Sequence, residues 1–222
     1  MPSPKQASCV VKKVFDARKW WNINVDWRGA MDQFVTNGKY SIKKTYGYFF
    51  PQYPNVTWRK LILIKGLIPQ HQFILWLALH NKLSTVDSLT KWNIQVSTDC
   101  VMCSSGLEET HSHLLFDCLY SKFIWSTLLM WMDYTRTIGS WNEEVRWLSS
   151  LIRQTKAKTF MLGFLFAATV CVVWIERNNR RLNQLERRPQ KIVREIVLQL
   201  HIVGQKHGKW TSILGRLNSF PC

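Results

Sequence analysis

Asp99-Cys100-Val101-Met102-Cys103-Ser104-Ser105-Gly106-Leu107-Glu108-Glu109-Thr110-His111-Ser112-His113-Leu114-Leu115-Phe116-Asp117-Cys118 is the stretch on which the reading of this chain turns. Its Cys-x2-Cys-x9-His-x4-Cys spacing offers three thiolates and one imidazole, the tetrahedral set of a structural zinc ion. Four protein ligands close that shell. With no position left for water or substrate, the motif points to a metal-stapled binding or assembly module and away from zinc hydrolysis. Ordinary buried cysteines beside a surface histidine fit less well, because three of the six cysteines fall together around a polar turn at Ser104 to Gly106, with Glu108 and Glu109 beside it. Cys100, Cys103, His113 and Cys118 are the expected ligands and zinc the expected cofactor.

His111 competes with His113 for the imidazole position. On an unbroken helix, His111 and Cys118 would share a face but lie about 10 Å apart along the axis, too far for one ion. His113 and Cys118 would point about 140° apart, so a site using His113 needs a backbone break between them. Asp117 could start a new helix there, placing Cys118 in a first turn where the helix dipole favours its thiolate.

The chain has 222 residues, 46% of them hydrophobic, which suits a folded protein rather than a disordered one. Cys9, Cys171 and Cys222 are scattered, and Met1-Pro-Ser-Pro-Lys5 opens no apolar signal segment. The expectation is an intracellular, reducing compartment, nucleus or cytoplasm, with thiols and metal rather than disulfides.

A net charge of +16 asks for an anionic partner, RNA or DNA first. The excess is uneven. Residues 1–60 hold eleven Lys and Arg against three Asp, residues 61–156 eight against eight, and residues 157–222 eleven against three Glu. The cysteine region is neutral, so the phosphate grip is expected from the flanks and the zinc acts as scaffold. The expected contacts are Lys12, Lys13, Arg18, Lys19, Lys43 and Lys44 on the N-terminal side, and Arg177, Arg180, Arg181, Arg187, Arg188, Lys191 and Arg194 on the other. On one continuous helix the latter seven would fall within about 140° of arc, but Pro189 divides them into two pieces.

Hydrophobic periodicity predicts mostly helix. Residues 10–21 suit a short amphipathic helix, and Gly38 to Tyr46 a turn leading into a strand or helix start. Helical patterns follow at Trp58 to Ile64, from Pro69 to His80 after a break at Gly66, and from Thr85 to Trp92. Others run through Phe123, Ile124, Leu128 and Trp131, and from Trp141 to Ile152. Phe160 to Ile175 is wholly apolar, yet at about 24 Å it falls short of the ~30 Å hydrocarbon core, so it is expected as a buried helix rather than a membrane span. Residues 192–200 form an amphipathic helix able to dock a protein partner. Of the twelve tryptophans, most sit at core spacing; Trp20, Trp21 and Trp27 lie among bases and could stack on unpaired nucleotides.

No catalytic constellation is found. There is no Asp-Asp pair for two-metal phosphoryl transfer, no His-x-Glu with Pro-Cys-x-x-Cys for zinc deamination, and no Gly-rich phosphate loop. The chain is therefore expected not to be an enzyme.

Gly38-x-x-Ser41-x-Lys43-x-x-Tyr46, Trp58, Pro69 with Phe73 and Trp76, Leu83-Ser-Thr85, Leu89, Cys100-x2-Cys103, Glu109-Thr110-x-x-His113-Leu114, Cys118 and Trp125 together resemble a known family. It is the zinc-binding domain downstream of the polymerase in plant non-LTR, LINE-type retrotransposon reverse transcriptases. The resemblance covers about residues 38–126 and selects His113 over His111. Lys12 to Trp20 is similar to the segment joining such a polymerase to this domain, and Trp174-Ile-Glu-Arg-Asn178 to a signature that follows it. The latter segment is a soluble helix in the family. Gln70 stands where the family often has Lys, and Ser84 where it often has Pro; neither removes a ligand. The resemblance implies nucleic-acid or ribonucleoprotein association and a retroelement fragment lacking its polymerase.

The expected fold is mainly α, a small helical zinc-stapled domain with a helical C-terminal extension. Its divisions are a basic N-terminal segment at 1–37, the zinc-binding domain at 38–132 and a basic helical extension at 133–222. Two other readings stand beside nucleic-acid binding: a protein-interaction or assembly module, and a basic protein held at a membrane through residues 160–175.

Overall fold

Asn37 and Gly38 both adopt positive φ, 52° and 72°, as the tight two-residue turn of a hairpin requires. They join strand β1 (Val35–Thr36) to the antiparallel strand β2 (Lys39–Tyr40), with Val35 opposite Tyr40 and Thr36 opposite Lys39. Helix α1 (Ile42–Phe49) follows at once, its start marked by the Lys44 N–H donating to Ser41 Oγ at 3.4 Å. The computed structural model describes residues 32–49, 56–103, 105–217 and 220. It divides the chain into two units, residues 1–54 and 55–222, and this hairpin and helix belong to the first. The expected helix at 10–21 and the basic and aromatic contacts Lys12, Lys13, Arg18, Lys19, Trp20, Trp21 and Trp27 lie outside the described residues.

The second unit is built around one long helix. Its elements run α2 (Arg59–Ile62), α3 (Pro69–Leu79), α4 (Val86–Lys91), α5 (Leu119–Trp131), α6 (Trp141–Ile152), α7 (Ala157–Asn183), α8 (Pro189–Gly204) and α9 (Gly208–Leu214). The protein is mainly α, and each helical pattern expected from Trp58 onward has its counterpart. Local chemistry sets the boundaries. Pro69 opens α3 and Pro189 opens α8, each at a position that needs no N–H. Ser140 and Glu143 close a capping box at the start of α6. Gln184, in the left-handed conformation, ends α7.

The apolar run at 160–175 is the centre of α7, where Leu162, Phe164, Leu165, Phe166, Ala167, Ala168 and Val170 have no solvent exposure. Helices α3, α5, α6, α8 and α9 all pack against α7. The sequence-based boundary at 132/133 therefore does not separate a zinc domain from an appended extension. Helices on both sides share one core, because an all-apolar helix can be buried only by surrounding it. The apolar face of α8, Ile192, Val193, Ile196, Val197 and Leu200, is spent in the same way on α5 and α7 and is not open to a partner.

Gly163 is where α7 comes closest to its neighbours. A Cβ there would overlap Ile64 Cδ1 and stand 3.0 Å from Ile152 Cδ1. Replacing Gly163 by Leu should therefore destabilise the protein by at least ~1–3 kcal/mol, read as a lowered denaturation midpoint, and the second change Ile64→Ala should recover part of the loss.

Candidate metal centre

The Cys100–Cys103 pair sits at one end of a short antiparallel contact between Asp99 and Glu108. The Cys100 N–H donates to Leu107 O at 2.9 Å and the Glu109 N–H to Thr98 O at 2.8 Å, with Gly106 at φ +67° inside the turn. Thr110 Oγ1 then accepts the His113 N–H at 3.0 Å and starts a single helical turn that presents the imidazole.

The backbone break required for His113 to meet Cys118 is present. Leu115 (φ −102°, ψ 86°) and Phe116 (φ 87°, ψ −11°) leave the helical region, and Cys118 is the residue before α5. The new helix starts at Leu119, not Asp117, so Cys118 is its cap rather than a member of its first turn. A non-glycine residue at positive φ costs about 1–3 kcal/mol. Phe116 offsets that cost by placing its ring against Trp125, Trp141 and Phe166, at centroid distances of 5.8, 6.0 and 5.5 Å. Its N–H is held by Ser121 Oγ at 3.1 Å.

Four ligand atoms converge as a result. Those of Cys100, Cys103, His113 and Cys118 all lie within 4.8 Å of one another. Cys103 Sγ is 3.3 Å from His113 Nε2 and Cys100 Sγ is 4.0 Å from Cys118 Sγ. Metal–sulfur and metal–nitrogen bonds of ~2.3 and ~2.0 Å make the edges of a tetrahedral shell roughly 3.5–3.8 Å, so the donor set fits zinc in both chemistry and size. Cys100, His113 and Cys118 are buried and Cys103 is partly so. The contact with Cys118 outweighs burial and draws the Cys100 thiol down to about 5, while the same contact and burial push Cys118 up. Such a proton shared between buried sulfurs is what a divalent cation displaces. His111 is committed elsewhere: its Nε2–H donates to Ala78 O at 3.0 Å, its ring meets Trp141 edge-on, and burial lowers its pKa.

Residues 40–125 match the family model described as zinc-binding in reverse transcriptase. Over that segment, and not the rest of the chain, the protein is similar to the zinc-binding domains of reverse transcriptases. No curated protein and no solved structure matches the chain. The zinc-binding domain takes its four ligands from within the matched segment, but it is fixed in place by residues far beyond it.

Glu109, in the Glu-Thr-x-x-His stretch, is 1% exposed. Its Oε1 accepts from Arg177 Nε at 2.9 Å, Arg177 Nη2 at 2.6 Å and the Val86 N–H at 3.2 Å, and its Oε2 from Arg181 Nη2 at 3.0 Å. Arg181 also donates to Ser97 O and Asp99 O, and Arg180 to Val101 O, so α7 grips both sides of the Cys100 turn. Glu176, wholly buried, accepts from Arg180 at 3.0 Å and from the Arg187 N–H and Nε at 2.7 and 2.8 Å. Burial opposes ionisation of Glu176, yet the Arg187 and Arg180 donors prevail and hold its carboxyl below the ordinary glutamate range.

This corrects the outward basic stripe expected of the seven C-terminal bases. Arg177, Arg180, Arg181 and Arg187 turn inward onto Glu109 and Glu176, whereas Arg188, Lys191 and Arg194 are exposed. Lys43 and Lys44 are exposed on α1. The sequence reading placed Glu109 in a polar turn and assigned no buried partner to it, to Glu176 or to Glu144. Glu144, also fully buried, accepts from Trp125 Nε1 at 2.8 Å and from Arg136 at 2.6 Å. The available signal was that Glu109 and the Glu176-Arg177 pair stand in the two short segments carrying the family resemblance. Among the described tryptophans, Trp125, Trp131, Trp141 and Trp210 are core, while Trp76 and Trp92 are exposed.

Protein produced with intact cysteines should carry one zinc per chain by elemental analysis; Cys118→Ser and His113→Ala should lose it, whereas His111→Ala should keep it. Replacing Arg177 by Met leaves Glu109 buried with only part of its compensation, and should cost about 3–5 kcal/mol of stability in chemical denaturation.

Proposed function

We propose that this chain is a non-enzymatic, zinc-stapled module of retroelement origin, of the plant LINE type, that binds RNA or DNA electrostatically. The observation that carries the proposal is a net charge of +16 on a chain whose zinc-binding domain has a complete four-ligand set. A closed tetrahedral site supplies shape and rigidity rather than Lewis-acid chemistry. Cationic surface supplies affinity by releasing the counterions condensed on phosphates.

The inward-facing arginines do not remove this excess, because the acids they face, Glu109 shared by Arg177 and Arg181 and Glu176 shared by Arg180 and Arg187, are already counted in the net charge. Lys43, Lys44, Arg188, Lys191 and Arg194 remain exposed and form no ion pair with a described residue. Reduced cysteines are required for the zinc, which fits residence in the nucleus or cytoplasm.

Fluorescence anisotropy with labelled 20-nucleotide single-stranded RNA and DNA tests the proposal. Affinity should fall steeply between 50 and 200 mM salt, with a logarithmic slope of about −0.7 per phosphate contacted. Undetectable binding to both, or binding insensitive to salt, overturns it.

A further inference from the structure

We propose that the groove between the start of α7 and the α8–α9 turn is a nucleotide-binding site, with Lys65, Lys156 and Lys209 holding phosphate and its apolar floor receiving the base. It rests on the reading above for its ligand class but assigns the contact to residues different from those the charge pattern indicated.

The groove encloses about 750 Å³ and is formed by three separate chain segments, Leu63 and Lys65 after α2, Thr155 to Phe160, and His207 to Trp210. That volume lies in the ~300–1,000 Å³ range of small-ligand sites. Each segment contributes one lysine. All three are exposed, none forms an ion pair with a described residue, and no Asp or Glu lines the groove. This is the reverse of the arginine cluster on α7, where every guanidinium faces a buried carboxylate.

The floor is aromatic and aliphatic. Phe160 is half-buried, Trp210 is 5% exposed, and the His207 ring lies 5.0 Å from Trp210. The partly exposed rings of Phe160 and His207, backed by the buried Trp210, are the faces on which a base can stack, at ~1–3 kcal/mol each whatever its identity, while lysine ammonium groups meet phosphate as point charges. The walls are held together by packing. Gly66, at φ +92°, lets His207 approach so closely that a Cβ would stand 2.9 Å from Nε2, so a side chain at position 66 would be strained and would push His207 away from the first segment.

The test uses the zinc-loaded full chain and two triple variants of equal charge change, Lys65→Ala/Lys156→Ala/Lys209→Ala in the groove and Arg188→Ala/Lys191→Ala/Arg194→Ala on α8. Probes are a labelled 20-nucleotide single-stranded RNA, and adenosine and uridine 5′-monophosphates by calorimetry. The groove variant should bind the RNA at least ~10-fold more weakly and with a salt slope reduced by about 2, whereas the α8 variant, which removes exposed charge outside the groove, should lose no more than about 3-fold. Equal loss in both variants, or none in the groove variant, overturns the groove while leaving nucleic-acid binding in place. If the unmodified protein binds no RNA, the proposed function fails separately. Mononucleotide binding that the groove variant loses then still supports the site, and its absence overturns it. Unchanged thermal denaturation of the groove variant, expected for exposed lysines, confirms that folding is not what the test reads.

Discussion

Glu109 reaches across the fold to Arg177, and most of what surrounds the metal centre follows from the need to satisfy that carboxylate away from water. A buried carboxylate is tolerated only with donors around it. Arg177 supplies two, Arg181 a third and the Val86 amide a fourth. Because Glu109 lies between the two cysteine-bearing segments, satisfying it locks the Cys100 turn, the start of α4 and the centre of the chain's longest helix into one arrangement. Zinc then closes a loop whose base is already set by α7.

The same constraint explains the strained turn at the site. Cys118 must come back toward His113 within five residues, which no continuous helix allows, and the chain achieves this by placing Phe116 in the left-handed region. The aromatic cluster with Trp125, Trp141 and Phe166 holds that conformation from the core side, and the four-ligand shell holds it from the other. Trp125 is fixed in turn by Glu144, itself paired with Arg136. Metal geometry, backbone strain and core packing are thus one cooperative unit rather than a surface clip on a finished domain.

Charge has two separate uses in this molecule. Arginine, with its planar fork of donors, is spent internally at positions 136, 177, 180, 181 and 187, where buried carboxylates need several hydrogen bonds each. Lysine, a mobile and strongly hydrated point charge, is left at the rim of the groove and on α1. A run of bases in sequence therefore does not mark an outward-facing surface by itself.

The sequence alone determined the three cysteine ligands and narrowed the fourth to His111 or His113, between which the family resemblance chose, and it determined the helical boundaries, because Pro69, Pro189, Gly66 and the Ser140–Glu143 box act through their immediate neighbours. The apolar run of α7 was legible as a buried helix from its length. Only the tertiary structure decided that the C-terminal helices share the core of the zinc-binding domain, that the face of α8 carrying Ile192, Val193, Ile196, Val197 and Leu200 is buried, and which bases turn inward. The physical reason is range. Capping and periodicity act over a few residues, whereas Arg177 finds its carboxylate 68 residues away. Nothing in the spacing of bases along one helix tells whether another segment brings it an acid or leaves it to solvent.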